Sequence, residues 1–141
     1  MSEQGHAQTV RQMYEAFGRG DIQAILNQLA DDVTWVTPGH PSLPTTGRRR
    51  GKNEVAKFFT AVNDAMTFDK FEPRDFISQG ERVVALGSYA GTGKPTGKRF
   101  EADWAMVWTF RGGKVAAMQE YTDTAATDQA LLASAAVTAR R

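Results

Sequence analysis

Trp104-Ala-Met-Val-Trp-Thr-Phe-Arg-Gly-Gly-Lys-Val-Ala-Ala-Met-Gln-Glu120 is the stretch that decides the fold. Both of its halves alternate in the manner of β-strands, and the two glycines between them predict a hairpin turn. In the longer strand, residues 98–110, every even position from Phe100 to Phe110 is apolar, so that face must meet the rest of the core. Glu120, at the far end of the hairpin, would be a carboxylate in an apolar pocket if it shared that face.

The direction of Glu120 depends on the turn, because a shift of one residue sends each strand side chain to the other face. A two-residue turn would pair Phe110 with Val115 and send Glu120 outward. A three-residue turn, with Gly113 left-handed, would pair Phe110 with Lys114 and bring Glu120 to the side of the tryptophans. The residues alone leave both turns open.

Length and composition set the class of protein. A chain of 141 residues predicts one domain, residues 1–141. The 17 Lys and Arg nearly balance the 16 Asp and Glu, which predicts neither a nucleic-acid nor a membrane partner. The basic run at residues 48–52 has no interleaved aromatic residues and is interpreted as a solvated loop. With no cysteine and no signal-like or 18-residue apolar segment, a cytoplasmic location is expected.

Working outward from the hairpin, three helices are predicted before it, because apolar residues recur at helical spacing. The three stripes are Val10, Met13, Tyr14 and Phe17; then Ile22, Ile25, Leu26 and Leu29, with Asp21 as the helix cap; and Val55, Phe58, Phe59 and Val62. Strands are predicted at residues 33–37, 71–78, 83–90, 98–110 and 114–122, the last four as an antiparallel meander with Pro73 on an edge strand. Residues 38–51 and 91–97 are predicted as loops, and residues 124–141 as a C-terminal helix or tail capped by Asp123. Helices first and strands later predict an α+β fold with the helices on one sheet face. The half-apolar second face of the strand at residues 98–110 favours a partner subunit.

Four phrases carry a family resemblance: Tyr14-Glu-Ala-Phe-Gly-Arg-Gly-Asp21, Leu29-Ala-Asp-Asp-Val-Thr-Trp35, Trp108-Thr-Phe-Arg-Gly-Gly-Lys114 and Glu120-Tyr-Thr-Asp123. In this order and spacing they resemble the SnoaL-like branch of the NTF2-like superfamily, which includes polyketide cyclases, ketosteroid isomerases and limonene epoxide hydrolases. The resemblance implies a cone, in which a curved antiparallel sheet is wrapped by three N-terminal helices and a C-terminal helix around a deep apolar pocket. It further implies a homodimer joined through the sheets and no metal or organic cofactor, and it favours the three-residue turn.

The same resemblance indicates which catalytic residues of these enzymes have a counterpart in this chain. The positions of the ketosteroid isomerase Tyr and its two Asp hold Met13, Thr37 and Met106, so isomerisation of that kind is not expected. The last-strand acid of the cyclases and of the epoxide hydrolases falls on Glu120. The arginine of the hydrolases falls on Arg82. Neither the cyclase nor the hydrolase set is complete, and Glu120 is the residue common to both.

Glu120 is therefore the predicted general acid or base, with a pKa raised by desolvation. Arg82, Tyr14 and His40 are the predicted helpers. The alternatives are a solvated turn residue for Arg82, a core tyrosine with a wet hydroxyl for Tyr14 and an ordinary loop residue for His40. The predicted ligand-binding walls, which would also be packing residues, are Trp35, Thr37, Phe59, Trp104, Met106, Trp108 and Met118.

The leading hypothesis is a small cofactor-free enzyme that uses the pocket carboxylate to hydrolyse, cyclise or isomerise a small apolar, ring-containing metabolite. The alternative is a non-catalytic NTF2-like protein that binds an apolar small molecule. A protein-docking role for the basic loop and the tail has the least support.

Overall fold

The computed structural model describes residues 2–132, which fold into four helices and one six-stranded sheet. The helices are α1 (Glu3–Gly18), α2 (Ile22–Leu26), α3 (Lys52–Ala65) and α4 (Thr124–Leu131). The strands are β1 (Leu29–Thr37), β2 (Gly47–Arg50), β3 (Met66–Gln79), β4 (Arg82–Gly93), β5 (Arg99–Arg111) and β6 (Lys114–Thr122). The predicted α+β class, with helices wrapped on a curved sheet, is confirmed.

The strand order is β2-β1-β6-β5-β4-β3. Strands β3 to β6 form the predicted antiparallel meander, and Pro73 lies on β3 at the sheet edge, as predicted. The prediction of a wholly antiparallel sheet is wrong at one pair, because β1 runs parallel to β6. Because β1 and β6 are separated by most of the chain, no local sequence pattern could predict that they pair.

Two predicted loops contain strand. Residues 47–50, inside the predicted loop 38–51, are β2 and pair antiparallel with β1. Strand β4 continues through Gly91 into the second predicted loop and still pairs with β5. At Gly91 a Cβ atom would lie 2.0 Å from the carbonyl oxygen of Thr67 on β3, so glycine is required there by the close approach of the two backbones. The glycines that predicted a loop are in this case part of the sheet.

Helix α1 begins earlier than its apolar stripe predicted. Ser2 is the N-cap and accepts a hydrogen bond from the backbone N–H of Gly5 at 3.0 Å. The extra turns bury His6, whose ring stacks on Phe110 at 4.3 Å between centroids. His6 thereby joins the start of α1 to the end of β5.

The other helices largely follow the prediction. Asp21 caps α2, and Asp123 caps α4 by accepting from the backbone N–H of Ala126 at 3.2 Å. Leu29, predicted in the second helix, instead begins β1. Helix α4 ends at Leu131, and residues 133–141 of the predicted C-terminal helix lie outside the described residues. None of the helices within residues 2–132 is long and apolar enough to cross a membrane.

The core lies between the helices and the inner face of the sheet. The even positions of β5 that the hairpin sequence singled out face inward, and the rings of Trp104 and Trp108 contact Tyr14 on α1. Phe17 of the same helix contacts Phe59 on α3 and Phe71 on β3. An aromatic layer therefore connects the helices to the sheet and surrounds the space described next.

Candidate functional site

The β5–β6 turn differs from the one that the family resemblance favoured. Arg111 pairs with Lys114, and both Gly112 and Gly113 have positive φ, at 59° and 82°. This is a two-residue turn, so the predicted three-residue turn is wrong. A regular ladder continued from this turn would send Glu120 to the outer face of the sheet.

A β-bulge restores the inward direction. Phe110 pairs with Val115, but the next pair is Thr109 with Ala117, which leaves Ala116 as a surplus residue on β6. A surplus residue changes the alternation beyond it by one step. Glu120 consequently lies opposite Met106, on the face of the buried tryptophans.

Glu120 is a buried acid. Glu120 is 8% exposed, and it lies on the wall of a cavity between the helices and the sheet. Burial raises its pKa to about 7, because the ionised carboxylate loses its hydration, and a hydrogen bond from Tyr89 opposes part of that rise. A carboxyl group with such a pKa exchanges a proton readily near neutral pH.

Tyr89 is the partner that the sequence analysis missed. Its hydroxyl donates to Oε2 of Glu120 at 2.9 Å and also lies 3.0 Å from Oγ1 of Thr122. Tyr89 is on β4, two strands away from Glu120, and its neighbour on β5 is the small residue Ala102. The signal for Tyr89 was its alternation with Val83 and Ala85, which marks the inner face of β4.

The cavity has a volume of about 120 Å³. A single water needs only roughly 10–15 Å³ on this scale, so the space is large enough for a small organic molecule. Helices α1, α3 and α4 and the inner face of the sheet contribute its walls, which are mainly aromatic and aliphatic. Predicted residues on the walls are Tyr14, Trp35, Phe59, Met106, Trp108, Met118 and Glu120. Lining residues that were not predicted include Phe17, Phe58, Phe68, Phe71, Tyr89, Phe100 and Thr122.

The sequence matches the SnoaL-like domain family over residues 10–118. The chain belongs to the SnoaL-like family. No curated protein matches the sequence.

Solved structures agree with that assignment. An NTF2-like protein from Burkholderia xenovorans LB400 is 36% identical, with a TM-score of 0.85 over 94% of this chain and 99% of its own. An NTF2-like protein of unknown function from Burkholderia pseudomallei K96243 is 33% identical, with a TM-score of 0.85 over 94% of this chain and all of its own (100%). TerC, co-crystallised with polyporic acid, is 28% identical, with a TM-score of 0.78 over 90% of this chain and 98% of its own.

Two predicted wall residues of this SnoaL-like domain do not line the cavity. Thr37 is buried, but its hydroxyl donates to the carbonyl oxygen of Thr45 at 2.5 Å and ties β1 to the following loop. Trp104 lies against Gly87, where a Cβ atom would be 2.5 Å from the indole ring. Both residues face inward, as their alternation predicted. Thr37 contacts the Thr45 carbonyl and Trp104 packs against Gly87, so neither side chain lines the cavity.

The hydroxyl of Tyr14 lines the SnoaL-like cavity but is already engaged. It donates to Sδ of Met106 at 3.1 Å and accepts from Nε1 of Trp108 at 3.1 Å. Burial raises the pKa of Tyr14 above its ordinary value, so it remains protonated. Its geometry is that of a residue that holds the cavity wall in place.

Arg82 and His40 are not among the described residues that line the SnoaL-like cavity, so their prediction as helpers of Glu120 gains no support from the structure. Arg82 is exposed and pairs with Thr109, so it projects from the outer face of the sheet. Nδ1 of His40 accepts from the backbone N–H of Ser42 at 3.1 Å, within its own loop. The structure thus brings Glu120 together with Tyr89 and Thr122, and neither Arg82 nor His40 joins them among the described lining residues.

Proposed function

We propose that this SnoaL-like protein is an enzyme in which Glu120 transfers a proton to or from a small apolar molecule held in the cavity. Membership of a family that includes cyclases and isomerases supports a role of that general kind. The observation that carries the proposal is the position of Glu120, a carboxyl group with a pKa of about 7 on an otherwise largely apolar wall.

The chemistry follows from the two forms of Glu120. Near pH 7 both the carboxylate and the carboxylic acid are populated, so the group can remove a proton from one atom of a ligand and return it to another. Exclusion of water by the aromatic walls strengthens the electrostatic interactions of the charged form. Cyclisation, isomerisation and hydrolysis all use such a step, and the protein side chains suffice for it without a cofactor.

The cavity walls suggest the class of substrate. Aromatic side chains such as Trp35, Phe59 and Trp108 offer flat apolar faces against which a ring can stack. Few polar groups besides Glu120, Tyr89 and Thr122 lie on these walls. We therefore expect an apolar, ring-containing molecule with one activated carbon or hydroxyl near Glu120. Polyporic acid, which was crystallised with TerC, is the first probe to use.

The second candidate function is non-catalytic binding of the same class of molecule. The outward position of Arg82 favours it, since Glu120 lacks the cationic helper that the epoxide hydrolase pattern would supply. Both candidate functions use the same cavity, and they differ in whether the bound molecule is converted.

The test uses polyporic acid and any small molecule that co-purifies with the protein, identified by mass spectrometry. Binding is followed by quenching of the fluorescence of Trp35 and Trp108, and conversion by liquid chromatography with mass spectrometry. We expect the wild type to convert a bound molecule, and Glu120→Gln to bind it with similar affinity without converting it. Equal binding with no conversion by either protein would favour the binding function.

We further propose that the protein assembles as a homodimer through the outer face of the sheet. Ile77 and Tyr121 are 56% and 58% exposed, which is unusual for large apolar side chains. Between them on the same face lie Val84, Leu86 and Val107, as the pairing of the strands requires. A second copy of the chain, with the same apolar face, would cover these residues symmetrically.

A further inference from the structure

We infer that Tyr89 is a positioning residue that gives its single hydroxyl proton to Glu120 when that residue is ionised and to Thr122 when Glu120 is protonated. The inference rests on the proposed function, because it explains how Glu120 can act both as acid and as base. Tyr89 and Thr122 then complete the site of Glu120.

The Tyr89 hydroxyl has one proton and two neighbouring acceptors. The Tyr89 oxygen lies 2.9 Å from Oε2 of Glu120 and 3.0 Å from Oγ1 of Thr122, but a phenol has one proton to donate. The hydroxyl of Thr122 donates to the backbone carbonyl of Asp103 at 2.9 Å. Thr122 therefore has its own proton committed and faces Tyr89 as an acceptor. Tyr89 can donate its proton to one of these two acceptors at a time, and we infer that the protonation state of Glu120 determines which of them accepts it.

Each state of Glu120 then has a complete set of hydrogen bonds. With Glu120 ionised, Tyr89 donates to the carboxylate. With Glu120 protonated, its new O–H donates to the oxygen of Tyr89, and Tyr89 donates to Thr122. Neither state leaves the buried phenol without an acceptor, which would cost free energy in this apolar surrounding. Without Thr122, the second arrangement would have no place for the proton of Tyr89.

Of the described residues, Tyr89 is the titratable group that forms a hydrogen bond with the Glu120 carboxyl. Among the described residues, the titratable groups that interact with Glu120 are Tyr89 from β4 and Tyr14 from α1, and both have a pKa above the ordinary value. The other elements that line the same cavity present side chains that do not titrate, including Met106 on β5, Phe58 and Phe59 on α3, and Thr127 and Leu131 on α4.

Two substitutions should shift the pKa of Glu120 in opposite directions. Tyr89→Phe removes the donor to the carboxylate, so the pKa of Glu120 should rise by about one pH unit. Thr122→Val removes the acceptor that the protonated state needs, so the pKa of Glu120 should fall by about one pH unit. A residue that merely fills space would not give two shifts of opposite sign.

The measurement is the pH titration of the ¹³C-labelled Glu120 carboxyl by NMR, assigned by the loss of its signal in Glu120→Gln. Thr122→Ser, which keeps the hydroxyl, should restore the wild-type pKa. Thr127→Val is the matched control, since Thr127 lines the cavity and, among residues 2–132, its hydroxyl bonds to the backbone of Asp123 and Thr124 rather than to Tyr89 or Glu120. It should leave the pKa of Glu120 unchanged.

The titration needs no substrate, so it separates this inference from the proposed function. A fall for Thr122→Val that Thr122→Ser reverses supports the switch, even if no conversion of any ligand is found. A rise or no change for Thr122→Val overturns it, even if Glu120 proves to be catalytic. If Tyr89→Phe does not fold, the sign of the Thr122→Val shift still decides.

Discussion

Met106 and Glu120 lie directly opposite each other on β5 and β6, although the Gly112-Gly113 turn alone would pair Glu120 with Ala105 on the outer face. The surplus residue Ala116 makes the difference. A single β-bulge thus determines whether this protein has an acid in its cavity or on its surface.

Deletion of Ala116 removes the surplus residue and gives a regular ladder in which Phe110 still pairs with Val115 and Thr109 with Ala117. The pairing of Glu120 with Met106 is unchanged, so Glu120 should still face inward. Deletion of the neighbouring Ala117 would produce the same protein, so the test does not depend on which alanine is called surplus. The pKa of Glu120, followed by carboxyl NMR, should remain about 7 as in the wild type. A Glu120 that titrates in the ordinary acidic range would show that the bulge is not what sets its direction.

Glu120 should also make the stability of the protein depend on pH. Its pKa rises on folding from 4.5 to about 7, so the folded state binds more protons than the unfolded state between these values. The free energy by which Glu120 stabilises the fold is fully present below about pH 4.5 and is lost as the pH rises through 7. Such a shift corresponds to about 3 kcal/mol.

Urea unfolding at pH 5 and pH 8 measures this effect, with Glu120→Gln as the control that cannot ionise. The wild type should lose up to about 3 kcal/mol of unfolding free energy relative to Glu120→Gln over this range. Equal losses in the two proteins would mean that Glu120 is not desolvated in the folded state.

Tyr14→Phe should destabilise the protein by about 1–3 kcal/mol, because the buried indole N–H of Trp108 loses its acceptor. The ring remains, so the cavity walls and ligand affinity should change little. Combining it with Trp108→Phe should give less than the sum of the two single effects in urea unfolding, since the second substitution removes the group left unpaired. Additive effects would contradict the hydrogen bond between the two residues.

Arg82→Ala and His40→Ala should leave the affinity and conversion of a cavity ligand within about twofold of wild type, since neither side chain lines the cavity. For His40 the backbone bond to Asp128 is retained in the variant. Fluorescence titration and conversion assays with polyporic acid or the co-purified molecule provide the measurement. A tenfold loss in Arg82→Ala would require Arg82 to reach the site from the other side of the sheet.

Val107→Arg should convert the proposed homodimer to a monomer, because it places a charge in the middle of the outer sheet face, between Ile77 and Tyr121. Sedimentation velocity gives the mass of the assembly. Glu101→Arg is the matched control on the same strand, at an exposed position that is already charged. A wild type that sediments as a monomer, or a dimer that persists in Val107→Arg, would rule out this interface.

Much of the fold was readable from local patterns. The helical spacing of Val10, Met13, Tyr14 and Phe17 identified α1, and the alternation along β5 identified its buried face. Asp21 and Asp123 were recognisable as helix caps because a cap acts within three residues of itself. Such signals depend on neighbours in the chain, so the sequence alone carries them.

The candidate site depended on contacts that no local pattern contains. Tertiary structure decided the parallel pairing of β1 with β6, the bulge at Ala116, the outward direction of Arg82 and the reach of Tyr89 across β5 to Glu120. By itself, the sequence determined that an acid stands at the end of an aromatic hairpin. Which way that acid points, and what it touches, followed only from the register between strands, because alternation is local whereas pairing joins residues far apart in the chain.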